Sequence, residues 1–149
     1  MGLFYFTASD PGAQRHLEDT IKNSFYIGKH HSLLKKPERQ MLLSNGAADE
    51  VRMGGATPGE RNISTWERLK PGDYILGYHN KNYYYFGQVF GKIHNDLIAK
   101  EAWGTNKSGE TWEYIFFIRD LKEIKVGMQD LALFFGYKST FFPQGFILH

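Results

Sequence analysis

The chain contains no cysteine, and its 18 basic and 16 acidic residues nearly balance. The absence of cysteine excludes disulfides and thiolate metal sites. A formal net charge of +2 excludes a strongly cationic body, so any nucleic acid would bind to a local patch. No apolar run approaches the roughly 20 residues that cross a bilayer, and the N-terminus lacks the features of a signal peptide. We therefore expect a cytoplasmic protein without a membrane partner.

Aromatic residues, in contrast, are abundant: the chain has 12 Phe, 9 Tyr and 3 Trp. They concentrate between residues 66 and 117, where many stand beside Gly, Asn, Ser and Lys. That neighbourhood is typical of loops, so we expect some of these rings to lie on loops and outside the hydrophobic core. Flat rings on loops above a sheet stack planar ligands, above all nucleobases. The first functional hypothesis is therefore the recognition of a base.

The first 65 residues predict a strand, a helix and a long irregular region. Residues 3–8 are apolar and aromatic and end at Ser-Asp-Pro-Gly, which predicts a strand. Apolar residues at four-residue spacing predict a helix over 10–25, with Asp10 as N-cap and proline at the first helical position. Residues 37–44 predict a short helix, and 45–59 a long loop of the kind that is often functional. No Gly-Lys-Ser/Thr occurs there, which excludes a P-loop.

The rest of the chain predicts a mixed sheet. We predict a helical turn over 66–70, strands over 74–78, 83–94, 97–102 and 112–118, and a helix over 128–135. Gly87 and Gly91 inside the long strand predict bulges or a barrel bend. The length fits one α+β domain over residues 1–149, either complete or a fragment of a longer chain, with a curved, barrel-like sheet.

Trp103 is the first candidate for base binding. It opens a polar, glycine-containing loop, where a ring that served only the core would be poorly placed. An indole face stacks on a base with about 1–3 kcal/mol and attracts a methylated or cationic ring edge. The alternative is a strand-end residue that folds back on the core. The spacing around Trp66 favours a core anchor, and Trp112 fits either role.

Residues 61–65 place a guanidinium, an amide and two hydroxyls together. The amide of Asn62 can pair with a purine edge, because it donates and accepts at once, and Ser64 is a second candidate contact. The alternative is that one of them caps the turn that begins at Trp66. In the run 83–85, Tyr84 faces opposite to its two tyrosine neighbours. At least one of these rings therefore points outward or into a pocket.

The densest basic run lies between residues 29 and 39. Its cations are candidates for phosphate contacts: Lys29, Lys35, Lys36 and Arg39. Arg61 and Lys107, from two other segments, are further candidates. The alternative is an ordinary solvated face. The pair His30-His31 is a weak metal signal, and no carboxylate is spaced to complete a site, so we expect no cofactor.

Catalysis finds little support in the sequence. No serine has the context of a nucleophile elbow, and no pair of carboxylates stands out. Glu101 and Glu110 flank Trp103, but exposed carboxylates are the ordinary interpretation of such residues. We therefore expect a binding module and not an enzyme.

Several short motifs, taken in order, resemble the PUA-like superfamily, especially its EVE and YTH branches. The first is the run from Trp66 through Lys-Pro-Gly-Asp-Tyr-Ile-Leu-Gly-Tyr, followed by Tyr-Phe-Gly-Gln-Val at 85–89. The segment 103–115 looks like the YTH loop and strand in which a Trp forms one wall of an aromatic cage. The final Phe-Phe-Pro-Gln-Gly-Phe looks like the end of such modules in McrB-type restriction proteins. The resemblance spans roughly residues 62–124.

The resemblance implies a PUA-like fold and a reader of modified bases. YTH domains bind N6-methyladenine in RNA, and related domains of McrB-type proteins bind methylated DNA. The modified base would be flipped out of the duplex and held between rings. Trp103 carries over as a cage wall and Asn62 as the contact to the base edge, although Arg61 replaces the family's Gly. The second cage Trp has no counterpart, so Tyr26 or a tyrosine of 83–85 is expected to replace it.

The sequence thus leads to a module that binds methylated DNA, with N6-methyladenine as first candidate and 5-methylcytosine as second. The resemblance implies a McrB-type restriction system, with an AAA+ GTPase domain in the same longer chain and a separate nuclease subunit. Three alternatives stay open. In the first, the ligand is modified RNA, because the 2′-hydroxyl contacts that distinguish RNA from DNA cannot be read from sequence. In the second, the protein is a small enzyme that acts on a nucleotide through Glu101 or Glu110. In the third, its aromatic surface docks another protein.

Overall fold

The computed structural model describes residues 2–7, 17–79, 82–127 and 147–148, and their side chains over 2–4, 19–77 and 85–123. Within these ranges, six strands form one mixed sheet in the order β2-β5-β4-β3-β1-β6. The strands are β1 (Leu3–Thr7), β2 (Arg52–Ala56), β3 (Tyr74–His79), β4 (Asn82–His94), β5 (Tyr114–Gly127) and β6 (Ile147–Leu148). β1 runs parallel to β3, and the other neighbours are antiparallel. The predicted α+β class is confirmed.

Three α-helices and two irregular helical segments in the described part of the chain cover the sheet. The helices are α1 (Lys36–Ser44), α2 (Glu60–Arg68) and α3 (Asp96–Trp103). A π-helical turn spans Leu17–Lys22, and a 3-10 segment spans Ile27–Leu33. The guanidinium of Arg52 donates to the carbonyls of Ile21 and Lys22, which fixes the π-helical turn against β2.

β5 separates two hydrophobic cores. Its residues Ile115 and Phe117 face one side and Phe116 and Ile118 the other, and all four are buried. The first core contains Phe4, Ile21, Ala56, Leu69, Ile75, Tyr85, Val89, Phe116 and Ile118. The second core contains Ile27, Leu34, Leu42, Ala47, Val51, Met53, Phe90, Ile93, Ile98, Ala99, Trp103, Ile115 and Phe117. The sheet is therefore covered on both faces, in agreement with the alternation of side chains along a strand.

Most of the predicted elements are confirmed. β1, α1, β3 and β4 lie within two residues of their predicted positions. The register of β4 against β5 shifts around Gly87 and again before Gly91, so the bulges predicted from these glycines are present. α2 begins six residues before the predicted turn at Trp66, and β5 is longer than predicted. The predicted helix 128–135 lies outside the described residues. Of the helix predicted over 10–25, residues 10–16 also lie outside them, and the described part is a π-helical turn that ends at Lys22.

The loop predicted over 45–59 is wrong, because this stretch contains β2. The sequence Arg-Met-Gly-Gly-Ala carries no β-branched residue, which hid the strand. Both glycines are required by close approach. A Cβ on Gly54 would lie 2.5 Å from Cζ of Phe116, and one on Gly55 would lie 2.5 Å from the carbonyl oxygen of Trp112 and 2.8 Å from the Trp103 ring. The strand thus lacks side chains where aromatic rings and backbone already fill the space.

The strand predicted over 97–102 is also wrong, because this stretch forms α3. The side chain of Asn95 caps the helix by accepting a hydrogen bond from the Ile98 amide at 2.9 Å. Ile98, Ala99 and Trp103 are buried at helical spacing, and Gly104 ends the helix with φ of 70°. The short apolar run was compatible with both states, and capping together with packing decides for the helix.

We expect Gly55→Ala to lower the free energy of unfolding by about 1–3 kcal/mol, because its methyl group collides with the Trp112 carbonyl, which is backbone. Urea denaturation measures the change. Ser44→Ala, at an exposed site of α1, is the control and should stay within about 0.5 kcal/mol of the wild type. Equal stability of Gly55→Ala and the control would show that β2 can shift away from its neighbours.

Candidate nucleic-acid interface

The indole of Trp103 lies against the end of β2. Trp103 is the last residue of α3, and its ring packs over Gly55. Its Nε1 donates to Oγ1 of Thr20 at 3.1 Å, and that hydroxyl donates to the carbonyl of Met53 at 2.7 Å. Thr20 is itself buried. A hydrogen-bonded chain therefore fixes the orientation of the indole relative to the strand.

This environment differs from the loop position predicted for Trp103. The side chain is only 7% exposed and belongs to the second core. The sequence offered a ring folded back on the core as the alternative, and the structure has that arrangement. The physical reason is α3, whose capped helix turns position 103 inward together with Ile98 and Ala99.

Asn62 flanks the same end of β2. It lies in the first turn of α2, and its Nδ2 donates to the carbonyl of Thr57 at 3.1 Å. Thr57 follows Gly55 by two residues, which is about 7 Å along an extended chain. Trp103 and Asn62, the two residues that the resemblance ranked highest, are thus brought to one strand end by different helices. Since α2 begins at Glu60, neither Asn62 nor Ser64 caps a turn at Trp66.

Ser64 and Arg61 are exposed on α2. The same helix packs Trp66 against the first core, and the Nε1 of Trp66 donates to the Ile115 carbonyl at 3.0 Å. Trp66 is therefore the core anchor that its spacing favoured. Lys92 covers that indole, with Nζ 4.4 Å from the ring centroid, and donates to two carbonyls at the end of α2. Desolvation lowers the pKa of Lys92, partly offset by the charge of Glu67.

Five of the predicted ligand contacts lie on one continuous stretch, from residue 26 to residue 39. Tyr26 is 56% exposed, and Nζ of Lys29 lies 5.2 Å from its ring centroid. Lys35 and Lys36 are exposed at the N-terminus of α1, where the helix dipole adds to their positive charge. The guanidinium of Arg39 already donates one hydrogen bond to the Leu34 carbonyl, at 2.7 Å.

A cleft of about 410 Å³ opens beside this basic stretch, between the 3-10 segment and α1. Leu34 and Leu42 are buried in its floor. Its remaining lining residues are Gly28, His31, Arg39, Gln40, Leu43, Ala48 and Asp49. The volume is in the range of small-molecule pockets, and the lining is mainly apolar, with polar groups that could orient a ligand.

Asn95 holds the basic stretch to the sheet. Besides capping α3, its amide donates to the Leu33 carbonyl at 3.0 Å and to Oε1 of Glu38 at 2.9 Å. The same carboxylate accepts from the Lys35 amide at 2.9 Å, which caps α1. One buried side chain therefore joins α3, the 3-10 segment and α1.

The remaining predicted residues lie elsewhere. Lys107 is exposed in the loop after α3, where the side chain of Asn106 accepts from the amides of Ser108 and Glu110. Arg61, on α2, and Lys107 thus belong to elements separate from the basic stretch. The side chain of Tyr84 lies outside the described residues.

Sequence reasoning missed Thr20, Gly55 and Asn95, which position the candidate residues. The Gly-Gly pair inside 51–56 is a signal of close backbone approach, and Asn95 precedes Asp96 as an N-cap would. Nothing in the sequence links Thr20 to Trp103, 83 residues away.

Within the described ranges, no three His, Asp or Glu side chains form a group that could hold a metal ion. No helix in the same ranges has the length and apolar character needed to cross a bilayer.

We expect Thr20→Val to lower the free energy of unfolding by about 1–3 kcal/mol, because it removes the shared hydroxyl between the Trp103 indole and the Met53 carbonyl while keeping the volume. Thr20→Ser keeps the hydroxyl and is the matched control. Urea denaturation of both variants measures the difference. If serine is as destabilising as valine, the lost methyl packing is responsible and the hydrogen bonds contribute little.

Comparisons with known proteins bear on the fold. Neither protein-family models nor curated protein sequences match the chain. Among solved structures, it is similar to one described as the N-terminal domain of Thermococcus gammatolerans McrB bound to m5C DNA. The two chains are 16% identical, with a TM-score of 0.70 over 96% of this chain and 87% of the other. The chain therefore has the fold of that McrB N-terminal domain, which confirms the α+β fold of a McrB-type module predicted from the resemblance.

Proposed function

We propose that this domain binds DNA that carries a modified base, as the specificity module of a McrB-type restriction system. The observation that supports this most directly is the shared fold, because the matching McrB domain was solved on m5C DNA. A fold alone does not imply a function. The proposal therefore also rests on the surface chemistry of this chain.

The basic stretch from Tyr26 to Arg39 is suited to the phosphate backbone. Lys29, Lys35 and Lys36 are exposed and concentrate positive charge on a molecule with a net charge of only +2. Each lysine that neutralises a phosphate releases condensed counterions, which supplies affinity without sequence preference. These contacts position the domain on the duplex, and base contacts must supply the selectivity.

Selectivity is proposed to come from a base flipped out of the duplex into an aromatic cage. Trp103 and Asn62 flank the end of β2 and form one side of this cage, and Tyr26 or Tyr84 supplies the opposite ring. Because Trp103 is 7% exposed, binding there requires a rearrangement that uncovers its face. N6-methyladenine is the first candidate from the resemblance to YTH domains, and the DNA of the matching McrB structure supports 5-methylcytosine as the second.

The methyl group by itself contributes a modest preference. Burying one methyl-sized group contributes about 0.8 kcal/mol, which is about a fourfold difference in affinity. A larger preference needs hydrogen bonds to the base edge, a role that the proposal assigns to the Asn62 amide. In this proposal the domain has no catalytic role, and the AAA+ GTPase and the nuclease lie on other domains or subunits. Modified RNA is the alternative ligand.

We expect one modified duplex to bind at least about fourfold tighter than the unmodified duplex. Fluorescence polarisation with unmodified, N6-methyladenine and 5-methylcytosine forms of one sequence measures this preference. Tyr26→Ala should weaken binding of the preferred duplex by about tenfold, since a stacked ring contributes about 1–3 kcal/mol. Leu97→Ala, also at an exposed apolar residue, is the control and should bind as the wild type does.

Equal affinity of the wild type for all three duplexes would refute the modified-base reader. A preference that persists unchanged in Tyr26→Ala would keep the reader and exclude Tyr26 from the cage. The corresponding RNA, tested in the same assay, decides between DNA and the alternative ligand.

We expect the double variant Lys35→Ala/Lys36→Ala to weaken binding of all three duplexes equally, because phosphate contacts carry no base information. The slope of log affinity against log salt should fall in magnitude by about 2. Lys70→Ala/Lys100→Ala removes the same charge from exposed sites outside the basic stretch and is the matched control. If both double variants reduce the slope alike, the basic stretch has no special role in binding.

A further inference from the structure

A second cleft, of about 460 Å³, opens over β3, β4 and β5. It is lined by Tyr74, Phe86, Gln88, Asp120, Leu121 and Lys122, none of which belongs to the basic stretch or to the end of β2. The rings of Tyr74 and Phe86 stack at 5.1 Å between centroids and are within 9° of parallel. Two half-buried parallel rings that border an open space are suited to extend their stack onto a third planar ring.

Asp120 lines this cleft with an unusual backbone. Among the described residues it is the one non-glycine residue with positive φ, at 53°. This left-handed conformation is uncommon outside glycine, although Asp and Asn tolerate it best. Such conformations occur often at ligand-binding positions, where the surrounding structure maintains them. The carboxylate is an acceptor for N–H groups, so the cleft combines stacking rings with an acceptor.

Polar and cationic groups complete the rim. Nε2 of Gln88 donates to the Gly72 carbonyl at 3.1 Å, and its Oε1 accepts from Nε of Arg119 at 3.4 Å. Gln88 therefore fixes the Arg119 side chain beside the cleft. Arg119 and Lys122 are exposed, so two positive charges stand next to the ring stack and the carboxylate.

We propose that this cleft binds an unpaired base of single-stranded DNA. The base stacks on the Tyr74 and Phe86 rings, its amino group donates to the Asp120 carboxylate, and Arg119 with Lys122 contacts the adjoining phosphates. The negative charge of the Asp120 carboxylate disfavours a phosphate in the cleft itself. A purely apolar ligand would leave that carboxylate without a hydrogen-bond partner. The pairing with Asp120 favours cytosine and adenine, which carry an amino group, over thymine, which offers an acceptor there.

The test uses the full chain and fluorescein-labelled homopolymers of deoxycytidine and thymidine about eight nucleotides long. The wild type is expected to bind the cytosine strand about tenfold tighter than the thymine strand. The two bases are both pyrimidines, so differences in stacking area are small. Asp120→Asn keeps the size and the tolerance of positive φ, and it should bring the ratio close to one.

Phe86→Leu keeps an apolar side chain and should weaken both strands by about tenfold through the lost stacking. Leu97→Ala, at an exposed residue of α3 outside both proposed binding sites, should bind both strands as the wild type does. Equal binding of the two strands by the wild type, or an unchanged ratio in Asp120→Asn, overturns the proposal. Methylated-duplex affinity of Asp120→Asn is a separate readout, so failure at this cleft is distinguishable from failure of the modified-base reader.

Discussion

The burial of β5 on both faces is the constraint on which the rest of the structure depends. Four consecutive apolar residues, Ile115 to Ile118, are buried alternately in two cores. A strand of this kind needs a neighbour on each edge and a cover on each face, because exposed backbone groups and exposed apolar rings are both costly. β2 and β4 supply the edges. α1, α3 and the 3-10 segment cover one face, and Trp66 of α2, bonded to the Ile115 carbonyl, helps to cover the other.

Close approach at β2 connects this architecture to the candidate interface. Because Gly54 and Gly55 lack side chains, the rings of Phe116 and Trp103 lie directly against the strand from the two cores. The same strand end leads to Thr57, which the Asn62 amide contacts. The Thr20 hydroxyl fixes the Trp103 ring at the end of α3. The Asn95 amide fixes the 3-10 segment and α1 through Leu33 and Glu38. Residues distant in sequence therefore meet at one strand end, through ring contacts with the β2 backbone and a small number of side-chain hydrogen bonds.

Under the proposed function, exposed lysines supply affinity for DNA and fixed aromatic rings supply selectivity for the base. Lys29, Lys35 and Lys36 of the basic stretch are exposed, which suits phosphate contacts that need no exact geometry. In the proposed modes of binding, base recognition relies on side chains that the structure fixes in position. These are Trp103 and Asn62 at the end of β2, and the Tyr74–Phe86 ring stack beside Asp120 at the second cleft. A methyl group adds only about 0.8 kcal/mol on burial, so the proposed discrimination between bases depends mainly on the geometry of these side chains.

The sequence by itself determined the α+β class, the strands with strong apolar character and the position of the basic stretch, because these follow from local pattern and composition. It did not determine that residues 97–102 form a helix, because a short apolar run fits a strand as well as a helix. The cap that Asn95 provides favours the helix. β2 was hidden for a related reason: its glycines contradict strand propensity and are explained only by the rings of Phe116 and Trp103. Tertiary structure alone decided that Trp103 is buried and shares a strand end with Asn62, because that arrangement depends on contacts between residues far apart in the chain.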